Sequence, residues 1–467
     1  MEKTDHDLLR HPLSLAGAAL ATVSGVLVTA LVSASFLGFF EGSPYLGVVA
    51  YIVLPSMLVM GLVLVPLGMS LQRRRRGRLA AAGKTEPPLP TIDLNRPRVR
   101  MFVLVFLGLT TVNVLILVAA SHRGIEVMDS TAFCGSCHSV MDPETTAHSR
   151  SPHARVRCVE CHIGPGTSWF VKSKLSGSWQ LVSVIFGLYP RPIPTPVQNL
   201  RPARETCEQC HWPTKFVGDR LKVLTHHSDD AENTPLKTIF LLHVGGAQGT
   251  RARGIHWHVD PGVHIRYLSD AKREKIGTVE LTAPDGVRRS YAVKGESVPG
   301  GRWREMDCVD CHNRPTHVFH GPEDEVDAAI ERGGIDRALP FVRREAVKAL
   351  RVSYSSADAA RAGLRAHLSD FYAKEDPARA GERRGALEKA AQELGTIWER
   401  NVWPGMKIGW GTYPTFLGHE AAPGCFRCHD GDHATQDGRT ISGDCDLCHQ
   451  LLAQDEKAPP ILKQLAP

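Results

Sequence analysis

No cysteine occurs among the first 133 residues of this 467-residue chain, and no charged side chain interrupts three stretches of the same region: Pro12 to Phe40, Gly42 to Gln72 and Met101 to Ser121. Runs without charge of this length exclude a solvated surface helix. Each exceeds the roughly 20 apolar residues with which a helix crosses the hydrocarbon of a bilayer. A large excess of one charge is also missing, the formal balance being +6, and no basic run alternates with aromatics in the cysteine-bearing part. Nucleic acid is thereby excluded as a partner.

Three spans are therefore expected within residues 1–122. Only the few residues around Glu41 to Pro44 are left for a turn between the first two, which predicts an antiparallel hairpin, and Pro55 and Pro66 predict a kink in its second arm. The first run is longer than the apolar core of a cleaved signal peptide and another span follows at once, so it is read as retained. Between the second and third runs lie Arg73 to Arg76, Arg78, Lys84, Arg96, Arg98 and Arg100 against only Glu86 and Asp93. That excess marks a cytoplasmic loop. The N-terminus is then cytoplasmic, and everything after the third span lies on the far side of a bacterial inner membrane, in the periplasm.

That far side holds all twelve cysteines, and none stands alone. They form six Cys-x-x-Cys-His runs: Cys134/Cys137/His138, Cys158/Cys161/His162, Cys207/Cys210/His211, Cys308/Cys311/His312, Cys425/Cys428/His429 and Cys445/Cys448/His449. Two thiols at this spacing add across the two vinyl groups of one haem, and the adjacent histidine lies under the iron as an axial ligand. Disulfides and zinc are the other readings of paired cysteines, and the first two pairs alone fit a zinc-ribbon spacing. Neither explains a histidine after every pair. With 22 histidines in the chain, six such coincidences have odds of roughly one in a hundred million. Six covalently bound haem c groups are expected, on the oxidising side of the membrane.

Part of the cysteine-bearing region resembles the NapC/NirT group of membrane-anchored multihaem quinol dehydrogenases. The resemblance is carried by Phe133 through Cys134, Cys137, His138 and Met141, by Ser151-Pro152-His153 before the second motif, by Glu205-Thr206 before the third, and by the fourth motif followed by His317. It implies quinol oxidation at the membrane surface and transfer of electrons through the haems to a periplasmic acceptor. The chain departs from the family in its three spans where one is usual, and in Met141, which falls three residues after His138 where two is usual. In the family, lysines just after the second motif serve near the quinol or as a haem ligand, which maps to Lys172 and Lys174. The acidic group that accompanies them in tetrahaem relatives is replaced here by Ser176 and Gly177.

The expected architecture is a membrane protein with three N-terminal transmembrane helices and a periplasmic multihaem cytochrome c region, mainly helical and irregular, with a small antiparallel β insertion. Its parts are the anchor (1–122), a tetrahaem domain (123–320) with the insertion at about 236–299, a helical linker (321–413) and a dihaem segment (414–467). Thr238 to Val244, Gly254 to Val259, Val263 to Leu268, Gly277 to Thr282 and Arg288 to Lys294 read as strands, with Asp285-Gly286 as a turn. On the second of these, His256-Trp257-His258 would put both imidazoles on one face. One of His243, His256, His258 and His264 could ligate a haem, but surface or core positions account for most of such a cluster. Residues 323–400 read as two or three helices with a cap at Ser356-Ala-Asp358. Trp169 to Phe186, aromatic and apolar around Lys172 and Lys174, reads either as a helix in the headgroup plane or as one packed on haem faces.

Candidates for the sixth iron ligand are Met141, His153, His226, His227, His317, His419 and His433. Sixth ligands from His or Met saturate the irons, which suits electron transfer and not substrate turnover. The expected function is oxidation of menaquinol or a similar quinol from the membrane pool, delivering electrons to a periplasmic or outer-membrane cytochrome or a terminal reductase, in a homo-oligomer or as a complex subunit. The alternatives are a reductase of a small nitrogen or oxyanion substrate, although no motif carries Lys in place of His, and a relay or tether subunit that never touches quinol.

Overall fold

The structure, a computed structural model, describes residues 11–36, 53–80, 93–164, 167–197, 200–212, 216–245, 254–295, 297–375, 377, 381–419 and 422–465. The chain divides into two compact units, Met1–Ser136 and Cys137–Pro467, each described by itself.

In the first unit the charge-free runs are helices: α1 (Pro12–Phe36), α2 (Leu54–Ala80) and α3 (Pro97–Met128). All three are long and apolar enough to cross a membrane. α1 and α2 pack antiparallel through small residues. A Cβ on Gly61 would sit 2.6 Å from the Ala21 nitrogen, and one on Gly68 2.3 Å from Ser14 Oγ. Without a hydrophobic drive in lipid, such close backbone approach is the source of helix–helix attraction. The expected turn at Glu41 to Pro44 lies outside the described residues, as do Lys84 and Glu86. Pro66 stands inside an uninterrupted helix and Pro55 at its start. A short α4 (Thr131–Gly135), capped by Ser130 Oγ accepting from the Phe133 amide, leads into the first motif.

The second unit opens with α5 (His138–Ser149), α6 (Cys158–His162), α7 (Thr167–Ile185) and α8 (Ala203–Cys207). Two antiparallel sheets follow. Strands β1 (Asp219–His227), β2 (Pro235–His243), β3 (His264–Ser269), β4 (Ile276–Thr282), β5 (Arg288–Val293) and β6 (Arg302–Glu305) come from the insertion and its flanks. β7 (His433–Ala434) and β8 (His449–Glu456) come from the C-terminal segment. The orders are β1-β2-β8 and β6-β3-β4-β5-β7. The C-terminal segment is thus stitched into both sheets. In β3 and β4 the buried residues Ile265, Tyr267 and Val279 alternate with exposed or half-buried ones, which is the pattern the sequence showed.

One expected strand is not there. Gly254 to Val259 does not extend as read; Ile255–Val259 is a 3-10 turn. The Trp257 amide donates to the Gly254 carbonyl and the Asp260 amide to the Trp257 carbonyl, bonds that close the turn in place of a ladder, and Trp257 packs on the core of the larger sheet.

The linker forms four helices where two or three were expected: α9 (Pro322–Glu331), α10 (Val342–Leu350), α11 (Ala357–Glu375) and α12 (Arg384–Glu399). The first two are short because Gly333-Gly334 and Pro340 break the pattern between them. Ser356 Oγ accepts from the Ala359 amide at the head of α11, the cap that was expected. The core of this bundle includes Val326, Leu350, Leu364, Leu368, Tyr372, Leu394 and Ile397, all buried, and each aliphatic side chain there stabilises by about 1.5–3 kcal/mol. A last short helix, α13 (Ile461–Leu465), follows β8.

Candidate haem-ligating histidine pairs

Every Cys-x-x-Cys-His run from the second onward begins in a tight helical turn. Cys158 opens α6 and Cys207 closes α8, while Cys308, Cys425 and Cys445 stand in 3-10 turns. Such a turn puts the two sulfurs and the following imidazole on one side of the backbone. At the fourth motif the turn is held by a capping box, Asp307 accepting from the Cys308 amide and Asp310 from the Asp307 amide. Asp307 also accepts from the Ala203 amide at 2.8 Å, which fastens α8 and the third motif beside the fourth. At the fifth, Gly424 has φ of +44°, and a Cβ there would fall 1.7 Å from the Gly418 carbonyl oxygen. Only glycine fits.

Each of these motif histidines faces a second imidazole from elsewhere in the chain. The ring centroids are 6.2 Å apart for His162 and His317, 5.9 Å for His211 and His153, 6.4 Å for His312 and His256, 5.8 Å for His429 and His258, and 6.3 Å for His449 and His419. Metal–imidazole nitrogen bonds are about 2.0–2.1 Å and the ring centre lies ~1.1 Å behind the nitrogen, so two rings on opposite sides of one iron stand ~6.3 Å apart. All five spacings match that value. His317 also stands 6.2 Å from His148, whose Nε2 is 3.0 Å from the Val156 carbonyl oxygen.

The hydrogen bonds leave the ligating nitrogen available. Nδ1 of His317, His256, His258 and His429 lies 3.0, 2.6, 2.7 and 2.7 Å from the carbonyl oxygens of Glu144, Val244, Ile255 and Ser442. A ring that donates Nδ1–H to a carbonyl keeps its lone pair on Nε2, the tautomer a metal needs. Burial lowers the pKa of His162, His258, His312 and His317, in the last against the pull of the Glu144 carboxylate, so these rings are neutral at pH 7. The His162 side chain is nonetheless exposed to solvent. None of the twelve cysteines is in a disulfide. Burial pushes the Cys311 thiol up to about 11 and Cys428 up to about 12, so neither carries charge into the interior. The donor set fits haem c: paired thiols, a neutral imidazole beside them and a second imidazole opposite.

The motifs are also neighbours in chain order. From the second motif to the sixth, Cys161 lies near Cys207 and Cys210, Cys308 hydrogen-bonds to Cys207, Cys311 lies near Cys425 and Cys428, and Cys448 lies near Cys425.

Of the sixth-ligand candidates, the structure brings His153, His317 and His419 to a motif histidine. Among the described side chains it does not bring His226, His227 or His433 to one. His226 lies 3.6 Å from Asp455, buried His227 is 3.1 Å from Asp327, and buried His433 is 2.9 Å from Asp430 and 3.1 Å from the Ile276 carbonyl oxygen. Met141 is half-buried in the first turn of α5. The His138 side chain lies outside the described residues. Lys172 is exposed, with its ammonium 4.6 Å over the Trp169 ring, and Lys174 is half-buried. His256 and His258 stood in the sequence only as members of a four-histidine cluster from which one haem ligand could come. Their nearness in sequence to one another was visible, but nothing local distinguished them from His243 and His264, which the fold places against Asp219 and Glu305.

Thiol pairs each backed by histidine, on a chain with three membrane-length apolar helices, define a membrane-anchored multihaem c-type cytochrome. The family model described as NapC/NirT cytochrome c family, N-terminal region, matches residues 96–192. The chain is 42% identical over 454 residues to cytochrome c-type protein ImcH of Geobacter sulfurreducens, covering 96% of this chain and 89% of that protein. Over 91 residues, 18% of this chain and 23% of the relative, it is 37% identical to cytochrome c-type protein TorC of Escherichia coli. No solved structure matches it. The chain belongs to the NapC/NirT cytochrome c family, and its work is electron transport with covalently bound haem c.

Proposed function

We propose that this chain carries six haems c, takes electrons from quinol in the membrane and passes them to a periplasmic or outer-membrane acceptor cytochrome or reductase. The observation that carries the reading is that five motif histidines each have a second imidazole at 5.8–6.4 Å. Irons closed on both faces exchange electrons and do not turn over a bound substrate, which disfavours a reductase of small oxyanions. In this reading His153, His317 and His419 would hold haem iron together with His211, His162 and His449. Haem supplies one-electron chemistry at iron; the chain supplies ligands, spacing and exclusion of water.

Entry of electrons is assigned to the region of α7. This helix exposes Leu175, Trp179, Ile185 and Phe186, with Leu188 just beyond, and carries Lys172 and Lys174 as its charged side chains. Apolar and aromatic groups flanked by lysine suit the boundary between acyl chains and phosphates, where quinol headgroups are reached. The lysines hold the quinol oxygen as its proton leaves. Each quinol gives up two electrons, singly, and two protons, and leaves as quinone. The basic loop between the second and third spans supports a cytoplasmic N-terminus and a periplasmic haem region.

The test uses the purified full-length chain in liposomes with a menaquinol analogue. Quinol-driven haem reduction without any partner dehydrogenase is the expected result. No reduction, with dithionite still reducing every haem, would make the chain a relay that draws electrons from another protein.

A further inference from the structure

The 3-10 turn Ile255–Val259 lies in the insertion that lengthens the chain between the third and fourth motifs. Its two histidines reach different motifs. His256 faces His312 of the fourth, with the rings nearly parallel at 13°, and His258 faces His429 of the fifth, with the rings nearly perpendicular at 78°. Both rings are anchored by Nδ1 to backbone carbonyls, of Val244 and Ile255, so neither rotates away without losing a hydrogen bond. Trp257 between them packs on the core of the larger sheet and sets its ring edge against His258.

A second set of contacts joins the same two motifs. Arg427, inside the fifth, donates from Nη2 to the carbonyl oxygen of Asp310, inside the fourth, and from Nη1 to the Arg273 carbonyl oxygen at 2.7 Å. Cys311 stands against Cys425 and Cys428.

We propose that His256 and His258 are the sixth ligands of two different haems, the fourth and the fifth, so that one five-residue turn is the junction between the tetrahaem and dihaem parts of the wire. This rests on the six-haem reading above. Ligands two residues apart on a rigid turn hold their irons as nearest neighbours, and a sheet beneath the turn keeps them so. The insertion is then the piece that extends a four-haem conductor to six. Without it the C-terminal pair would lack both a ligand and a fixed distance.

The experiment uses full-length protein in detergent carrying His256→Gly or His258→Gly, with haem stoichiometry and low-temperature EPR. The cysteines are untouched, so six haems per chain remain. Each variant loses one low-spin iron and gains a high-spin one, and added imidazole restores the lost signal. The two losses differ in kind: parallel rings give a rhombic low-spin spectrum and perpendicular rings a large-g axial one, so His256→Gly removes the first type and His258→Gly the second. Where a glycine variant folds poorly, His256→Met and His258→Met keep a ligand at iron and each introduces the near-infrared band of thioether ligation. Six haems with unchanged low-spin signals would overturn the proposal alone, as would loss of the same signal in both variants. Fewer than six haems in the unmodified chain would overturn the six-haem reading and this proposal with it.

Discussion

The carboxylate of Glu325 lies 2.6 Å from the guanidinium of Arg150, across 175 positions of chain. Glu325 is buried at the start of α9, and it also accepts from Asn401 Nδ2 at 2.9 Å and pairs with Arg400. The helical bundle is thereby bolted to the turn that follows α5 and precedes the second motif. Burial pushes the Glu325 carboxyl up, but the Asn401 hydrogen bond and the two guanidinium groups outweigh it and hold it below the ordinary carboxylate value.

Glu325→Ala should destabilise the second unit by about 2–3 kcal/mol, less than the 3–5 kcal/mol of a wholly buried pair because both arginines retain some water. A pKa lowered by folding contributes stability that is complete above the unfolded value and is lost as pH falls through the folded one. Thermal unfolding of the two proteins should therefore differ most near pH 7, and the difference should narrow as the pH falls below the ordinary carboxylate value.

Replacing the imidazole that faces His449, His419→Met, should leave haem content unchanged and raise one midpoint potential. A thioether stabilises ferrous iron relative to imidazole, and axial ligands span about 0.8 V in all, so a rise on the order of 0.1 V is expected in a spectroelectrochemical titration. His433→Met at the neighbouring histidine should leave every potential in place. That residue is committed to Asp430 and the Ile276 carbonyl.

At the proposed entry site, Lys172→Ala and Lys174→Ala should slow quinol-driven reduction while reduction by dithionite stays the same. Loss of one charged hydrogen bond of about 1.5–3 kcal/mol corresponds to roughly a 10- to 100-fold fall in rate for the residue that holds the quinol. The assay is stopped-flow absorbance of the haem band in liposomes.

In the anchor, Gly61→Val should separate α1 from α2, because a Cβ there has no space against the Ala21 backbone. The expected outcome is a lower yield of membrane-inserted protein and faster proteolysis of the hairpin. Gly108→Val on α3, where a Cβ meets nothing, should be neutral in both measurements.

What the sequence determined by itself was everything set by local geometry. Two thiols and an imidazole within five residues are a complete attachment site, and twenty uncharged residues are a complete span; neither needs the rest of the chain. The sixth ligands are different in kind. His153, His317 and His419 stood among the candidates on the same footing as His226, His227 and His433, which the fold turned toward carboxylates instead. Which imidazole meets which depends on contacts across tens to hundreds of residues, such as His317 against His162 and His256 against His312. Only the sheets, the bundle and the buried ion pairs decided that, because a ligand opposite an iron is a relation between distant backbones and leaves no spacing for a single stretch of sequence to display.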